Sequence, residues 1–316
     1  MKTQLHLAAL ALLSTFILHP SSLLAQGPLA PPGAPAPTMK TLDQIYARGD
    51  ARIPITNTAS AVTIAASGSY YLTGNLTVSS GDAITIATNG VTLDLYGYTL
   101  RSTAASAAGY AIKLNSGLRN ITIANGFIES GVTNNGSGIY SGSGFGYGIA
   151  YSGSAPVNVL VARVSVAGCL YLGIHLNTGD STVVESCTVR TVGSNGIDAS
   201  TIKQSSAIDC GSTAIFGKQV SDCRGESSSS NGVYATIAQN CYGSSTSGTG
   251  VNASTAQNCY GYSNGSGNGV YASQIANGCS GFSGSGTGLY AFIASVCHGT
   301  TSTGTALSTP HNVNSF

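Results

Sequence analysis

The sequence predicts an all-β solenoid of stacked parallel coils, and two observations carry that prediction. The first is a short phrase that recurs at a spacing of about 18 residues through the last third of the chain. The second is that so short a unit holds too few apolar side chains to bury a core alone, so it must stack on copies of itself. The four copies read GVYA at 232–235, GVNA at 250–253, GVYA at 269–272 and GLYA at 288–291.

Composition favours a single elongated body of short strands. The chain has 42 glycines, no tryptophan and only 7% charged residues, whereas an average globular domain has about 25%. Apolar residues come in short runs divided by Gly, Ser and Asn, which is typical of strands. No change of composition divides the chain after residue 55, so we expect one domain there.

Charge and hydropathy exclude two classes of partner. The net charge is +1 and no basic cluster is present, so nothing in the sequence attracts nucleic acid or an anionic membrane. After residue 25 no stretch approaches the roughly 20 apolar residues that a membrane-spanning helix needs. We therefore expect neither a nucleic-acid partner nor a membrane span.

The first residues have the pattern of an export signal. Lys2 precedes an apolar segment at 7–18, and small residues lead to a predicted cleavage after Ala25. This predicts a signal peptide at 1–25 and a protein that is secreted or held at the cell surface. Residues 26–37 are rich in proline and predict an extended leader.

One segment has helical spacing and precedes the strands. Thr38 can cap a helix in which Met39, Leu42, Ile45 and Tyr46 fall on one face. A short amphipathic helix in this place is expected to close the open end of a solenoid, which otherwise exposes apolar side chains and unpaired strand edges. We assign 38–55 to this capping helix and the lead-in, and 56–316 to the solenoid.

Strand patterns begin near residue 67 and carry a family resemblance. Residues 67–76 read SGSYYLTGNL and residues 90–100 read GVTLDLYGYTL. These segments resemble the opening coils of secreted right-handed parallel β-helix proteins, the pectate-lyase-like superfamily. The resemblance covers roughly residues 60–310 and implies that fold, which hosts many unrelated activities. Residues 130–148 form the longest break in the pattern, and we expect a loop projecting from the coils.

The catalytic motifs that the resemblance would imply are absent. Such lyases carry clustered aspartates for calcium and an Arg-x-Pro-x-x-Arg motif, and polygalacturonase-like relatives carry Asn-Thr-Asp, paired Asp and Gly-His-Gly motifs. None of these strings occurs here, and the 11 acidic residues are scattered. A calcium site needs several converging carboxylates, and hydrolysis by paired carboxylates needs two that face each other. We therefore expect no cofactor and no metal, and we lean against an enzyme.

In-register stacking turns each position of the phrase into a column. One column points inward and forms an aliphatic core, comprising Ile112, Ile149, Ile174, Ile197, Ile215, Val233, Val251, Val270 and Leu289. A second column contains cysteines, with Ser205 or Ser206 replacing one and Cys210 out of register; its members are Cys169, Cys187, Cys223, Cys241, Cys259, Cys279 and Cys297. These thiols are expected to point inward, either reduced or bridged between rungs.

Two outward rows are the candidate ligand surface. Aromatic, amide and hydroxyl groups at a regular rise suit stacking on sugar rings and hydrogen bonding to their hydroxyls. The alternative is that the rings only stabilise the stack. The first row consists of residues that directly follow the core aliphatics: Phe216, Tyr234, Asn252, Tyr271 and Tyr290. The second row consists of residues that directly follow the cysteines, and it adds Tyr242 and Tyr260.

His175 and Asp198 occupy consecutive coils of the first row and are the only candidates for catalysis. A histidine beside an acid can act as a general base, although the two can equally form a polar surface pair. The function we predict is non-catalytic binding of polysaccharide or another cell-surface polymer by the outward Tyr/Asn face. The alternatives are a polysaccharide lyase or glycoside hydrolase of pectate-lyase-like type, and a structural or adhesive surface module.

Overall fold

The computed structural model describes residues 52–56, 59–179 and 181–316. The expected signal peptide, the leader and the capping helix at 38–48 lie outside these residues. The unit Arg52–Phe316 is compact by itself, and all of its described elements are strands. No helix among these residues is long and apolar enough to cross a bilayer.

Thirty strands occur in the described residues, and most of them are short. Their bounds are β1 Ile53–Ile55, β2 Val62–Ile64, β3 Gly68–Leu72, β4 Leu76–Val78, β5 Ile84–Ile86, β6 Val91–Asp94, β7 Thr99–Ser102, β8 Tyr110–Leu114, β9 Arg119–Glu129, β10 Gly131–Asn134, β11 Tyr140–Ser143, β12 Tyr147–Tyr151, β13 Val157–Cys169, β14 Ile174–Asn177, β15 Thr182–Glu185, β16 Thr188–Val192, β17 Ile197–Lys203, β18 Ser206–Cys210, β19 Ile215–Ser221, β20 Arg224–Ser227, β21 Val233–Gln239, β22 Tyr242–Ser245, β23 Val251–Gln257, β24 Tyr260–Ser263, β25 Val270–Asn277, β26 Ser280–Ser283, β27 Thr287–Ser295, β28 His298–Thr301, β29 Thr305–Ser308 and β30 His311–Val313. The strand ladder thus starts at Ile53, slightly ahead of residue 56.

Twenty-eight of these strands stack into three parallel ladders. Sheet A contains the paired positions Leu93, Ile123 and Val161. Sheet B contains Ile112, Ile149 and Ile174, and sheet C contains Leu100, Ile128 and Val166. Long strands such as β9 and β17 bend around a corner and pair in two sheets. The all-β solenoid predicted from the repeated phrase is confirmed.

The predicted inward column is a continuous core. In sheet B each of its members pairs with the next, from Ile112 to Leu289. All of these side chains are fully or almost fully buried. Burial of aliphatic side chains in register provides the main hydrophobic stabilisation of the stack.

The long break in the pattern contains a hairpin. Strands β10 and β11 pair antiparallel, with Asn134 opposite Tyr140, and they stand apart from the parallel ladders. At the tip, Asn134 Oδ1 accepts hydrogen bonds from the backbone N–H groups of Gly136 and Gly138. The projecting segment expected at 130–148 is therefore an ordered hairpin.

Candidate functional site

Five candidate residues form one outward row on sheet B, which we call the Tyr/Asn row: Phe216, Tyr234, Asn252, Tyr271 and Tyr290. Each residue pairs in register with the next. The rings of Phe216 and Tyr234 stack with centroids 5.0 Å apart at 10°, and those of Tyr271 and Tyr290 stack at 4.9 Å and 8°. Stacked rings cover each other's faces and present mainly their edges outward. Most of the row is thus less open to sugar stacking than its composition suggests.

Asn252 interrupts this row and leaves two ring faces uncovered. It lies one rung from Tyr234 and one rung from Tyr271, so the two tyrosines are about 9–10 Å apart along the stack. An asparagine amide extends less far from the backbone than a tyrosine ring, and Tyr234 is 40% exposed. The gap equals two ring-stacking distances of about 4.5–5 Å. We call this gap, with Tyr234 and Tyr271 as walls and Asn252 as floor, the Asn252 slot.

The other two candidates, Tyr242 and Tyr260, lie on sheet C and not in the Tyr/Asn row. Their rings stack at 5.6 Å and 11°, and the Arg224 guanidinium lies 5.2 Å from the Tyr242 centroid. Beside them, Tyr262, two residues after Tyr260 on β24, stacks on Phe282 of the next strand, β26, at 5.1 Å. This second stack was missed from the sequence, although the strings CYGY at 259–262 and CSGF at 279–282 contain its signal.

His175 and Asp198 do meet, as consecutive rungs of sheet B. His175 Nδ1 lies 2.9 Å from Asp198 Oδ2, which is an ion-pair distance without hydrogen-bond alignment. Asp198 is buried, and its Oδ1 has no hydrogen-bond partner among the described residues. The imidazole also stacks on the Tyr151 ring at 5.0 Å. A carboxylate in this position can orient an imidazole as a base.

A cavity of about 550 Å³ lies between the hairpin tip and sheet C, and we call it the hairpin cavity. Asp209 anchors the hairpin to the coils here: its Oδ1 accepts hydrogen bonds from Asn134 Nδ2 at 2.7 Å and from the Tyr140 hydroxyl at 2.9 Å. Its Oδ2 accepts one from Thr191 at 2.9 Å. Burial and the hydrogen bond to Asp209 raise the pKa of Tyr140, so its hydroxyl remains a donor. The cavity is lined by Asn134, Gly136, Ser137, Gly138, Ile208, Asp209, Gly211, Glu226, Ser227, Ser228, Ser229, Ser244 and Thr246.

Glu226 brings a second carboxylate to this cavity. Its Oε1 accepts hydrogen bonds from the Arg224 guanidinium, and no partner of Oε2 occurs within the described residues. Asp209 and Glu226 were regarded as scattered acids in the sequence, where no acidic column appears. The two residues lie one coil apart along the chain, and both reach the same cavity because β18 and β20 are neighbouring strands of sheet C.

Comparison with known proteins finds likeness in fold only. No protein-family model and no curated protein matches the chain significantly. It is similar to a solved rhamnogalacturonan lyase, at 10% identity and a TM-score of 0.35, over 89% of this chain and 74% of the lyase. It is also similar to the Dettilon tailspike protein (gp208), at 9% identity and a TM-score of 0.37, over 82% of this chain and 51% of the tailspike, so it spans about half of that protein.

The chain is a right-handed parallel β-helix. This is the fold implied by the resemblance of residues 67–76 and 90–100, and that prediction is confirmed. In this β-helix the predicted outward rows exist, on two different sheets.

The cysteines of the β-helix lie in its interior. All eight cysteines are buried free thiols. Cys241 and Cys259 donate to the carbonyls two residues earlier, at 3.1 and 3.2 Å, and no cluster of metal-ligating groups occurs among the described residues. One assignment was wrong: Cys169 pairs with Val192, and Val192 with Cys210, so Cys169 belongs to the column of Cys210. Coils in that region are longer than 18 residues, so the 18-residue spacing to Cys187 is coincidental.

Proposed function

We propose that the protein binds polysaccharide or a related cell-surface polymer without catalysis, through the Asn252 slot of the Tyr/Asn row. The observation that carries the proposal is the interruption of this row at Asn252. A row that served only to stabilise the stack would gain from a ring at every rung, since each cross-strand aromatic pair adds about 0.2–1 kcal/mol. The Asn252 slot instead leaves one face of Tyr234 and one face of Tyr271 open.

The slot has the chemistry that a pyranose ring requires. Its walls offer two aromatic faces for the C–H-bearing faces of a sugar, and its floor offers an amide that can both donate to and accept from hydroxyls. The five residues of the row carry no charge, so the site favours uncharged sugars. A rigid stack also holds both walls in place before binding, which lowers the entropic cost of association.

An exported location is part of the proposal. The N-terminal pattern of Lys2, the apolar segment at 7–18 and Ala25 supports translocation and cleavage of a signal peptide. A secreted protein meets polysaccharides at the cell surface. N-terminal sequencing of protein recovered from culture medium tests this step, and an uncleaved cytoplasmic protein would contradict it.

Variants at the slot and at the ends of the row test the function. Glycan-array screening first identifies a ligand, and calorimetry then compares Tyr234→Ala and Tyr271→Ala with Phe216→Ala and Tyr290→Ala. The first pair removes slot walls, whereas the second removes rings of the same row that do not face the slot. We expect the wall variants to weaken binding about three- to tenfold, as the loss of one aromatic contact predicts, and the control variants to bind nearly normally.

Asn252→Tyr gives the sharpest distinction between binding and a purely structural role. The new ring completes the ladder and fills the slot, so we expect a rise in thermal stability together with loss of binding. If Asn252→Tyr binds the ligand as tightly as the wild type does, the slot is not the site. If no glycan binds at all, the row serves only the stack and the chain is an inert surface module.

The enzyme alternative is favoured by one observation, the 2.9 Å approach of His175 and Asp198. The His175 side chain is 24% exposed, so a proton can reach its imidazole from solvent. Incubation with neutral and uronic-acid polysaccharides would then give unsaturated or reducing-end products. Those products should disappear in His175→Gln and Asp198→Asn and persist in Asp222→Asn, a change at an exposed acid.

A further inference from the structure

We propose that the hairpin cavity is a second saccharide site, on a different sheet from the Tyr/Asn row, that accepts uncharged hydroxyl-rich sugars and rejects acidic ones. This inference goes beyond the proposed function, because it concerns other residues and predicts a selectivity. It rests on three observations about this polar cavity. Hydrogen bonds hold its walls in place, several of its lining groups have no hydrogen-bond partner within the described residues, and its charged lining residues are both acidic.

The frame of the cavity is built before any ligand arrives. Asn134 uses both ends of its amide, since Nδ2 donates to Asp209 and Oδ1 accepts from the hairpin tip. Ser227 Oγ accepts from the backbone of Ser229 and Ser230, and Ser229 Oγ donates to the Gly211 carbonyl at 2.5 Å. These bonds fix the cavity walls, and fixed walls lower the cost of binding.

Other groups that line the same cavity keep hydrogen-bonding capacity. Within the described residues, the hydroxyls of Ser137, Ser244 and Thr246 and the Oε2 atom of Glu226 have no hydrogen-bond partner. Hydroxyls donate and accept, and a carboxylate oxygen accepts strongly from a sugar hydroxyl. This mixture complements the vicinal hydroxyls of a sugar ring. A volume of about 550 Å³ is in the range of small-ligand sites.

Charge sets the selectivity. Two carboxylates, Asp209 and Glu226, line the cavity, and none of its lining residues is Lys, Arg or His. Arg224 contacts the cavity wall only through Glu226, whose Oε1 it already occupies. A uronic acid would bring a third carboxylate against these two with no lysine, arginine or histidine among the lining residues to receive it, and like charges at close range cost affinity. A neutral sugar meets no such penalty.

The cavity continues onto an aromatic surface. Glu226, Ser244, Tyr262 and Phe282 are successive members of one column of sheet C. A sugar chain that starts in the cavity therefore meets the Tyr262 ring two rungs beyond Glu226, at about 9–10 Å. Stacking on that ring provides a second contact for a chain of several sugars.

The experiment uses the full chain carrying Asn252→Tyr, so that the Asn252 slot is filled and any binding that remains comes from elsewhere. The probes are neutral hexasaccharides of glucose, mannose and galactose, with hexagalacturonate as the acidic counterpart, observed by saturation-transfer difference NMR and titration. We expect at least one neutral hexasaccharide to bind, and hexagalacturonate to bind at least tenfold more weakly. Glu226→Gln should narrow that difference.

Ser244→Tyr places a ring in the cavity and extends the stack of Tyr262 and Phe282. Its matched control is Ser280→Tyr, which adds a ring next to Tyr260 on the same sheet but away from the cavity. We expect Ser244→Tyr to weaken binding at least tenfold and Ser280→Tyr to leave it unchanged, with thermal melts showing both variants folded. Equal effects of the two, tighter binding of hexagalacturonate, or no neutral probe bound would overturn the proposal. Since the slot is already filled in this chain, these outcomes leave the test of the Tyr/Asn row unaffected.

Discussion

The two halves of the β-helix use the same columns but fill them with side chains of different size. In sheet C the inward column falls from leucine to glycine along the chain, through Leu76, Leu100, Ile128, Val166, Val189, Ala207, Gly225, Gly243, Gly261, Gly281 and Gly299. In sheet A it falls from Leu93 and Ile123 to Ala238, Ala256, Ala276 and Ala294.

This taper means that the two halves are stabilised differently. The N-terminal coils bury large aliphatic side chains, whereas the coils from Gly225 onward bury no leucine, isoleucine or valine outside the sheet B column. A Cβ at Gly243 would overlap the carbonyl oxygen of Gly250. The C-terminal coils therefore depend more on three other contributions. These are the backbone hydrogen bonds between rungs, the hydrogen bonds that hydroxyls and thiols make to the backbone where the coil turns, and the stacked rings on the outer surface. Short uniform coils leave their outward positions free for a regular surface, which is where the Tyr/Asn row lies.

Truncation of an aliphatic residue in the N-terminal half should have the largest effect. Leu100 is completely buried, so Leu100→Ala leaves a cavity and should cost about 2–5 kcal/mol. Chemical denaturation followed by circular dichroism measures this. A cost below about 1 kcal/mol would show that the wide coils collapse around the gap and that aliphatic volume is not their main support.

Addition of a methyl group to the same column in the C-terminal half should be nearly as damaging. At Gly261 a Cβ would overlap the Gly269 carbonyl oxygen, and overpacking of this kind costs about 1–3 kcal/mol. Gly179→Ala is the matched control, because a Cβ there meets nothing within 4 Å. Equal stability of the two variants would contradict the view that the narrow coils have no space for a side chain.

The columns that follow from the repeat could be predicted from the sequence, whereas contacts made outside the repeat could not. Equal coil lengths placed the sheet B column and the Tyr/Asn row correctly, since in-register pairing follows from the period alone. The contact between Asn134 and Asp209 spans 75 positions, and no period links an inserted hairpin to the coil it covers. Cys169 was misassigned for the same reason, because the coils there have a different length. The stacking of Phe216 on Tyr234 and of Tyr271 on Tyr290, with the Asn252 slot between the two pairs, also depends on side-chain geometry that a pattern of residue types does not contain.

The turn of the repeated coil that carries the cysteine column offers a smaller test, at a rung where serine replaces cysteine. Ser205 Oγ accepts the Cys187 backbone N–H at 3.1 Å and donates to the Lys203 carbonyl at 2.8 Å. Ser205→Ala leaves that buried N–H unpaired and should cost about 1–3 kcal/mol. In Ser205→Cys a sulfur takes the same place, as Cys279 Sγ does toward the Cys259 N–H, so most of the stability should return. Equal losses of stability in Ser205→Ala and Ser205→Cys would show that the side chains of this column do not stabilise the turn by pairing with buried backbone N–H groups.

Alkaline pH should destabilise the protein through its buried thiols. Burial raises the pKa of Cys169 to about 12, from a usual value near 9. Between these values the unfolded thiol has lost its proton and the folded one has not, so the unfolded state binds fewer protons and stability falls as pH rises, by about 1.4 kcal/mol per pH unit. Denaturation under reducing conditions from pH 8 to 11 measures the slope. Cys169→Val, which matches the Val192 that follows in the same column, should remove this contribution; an unchanged slope in that variant would mean that the thiol ionises freely in the folded protein.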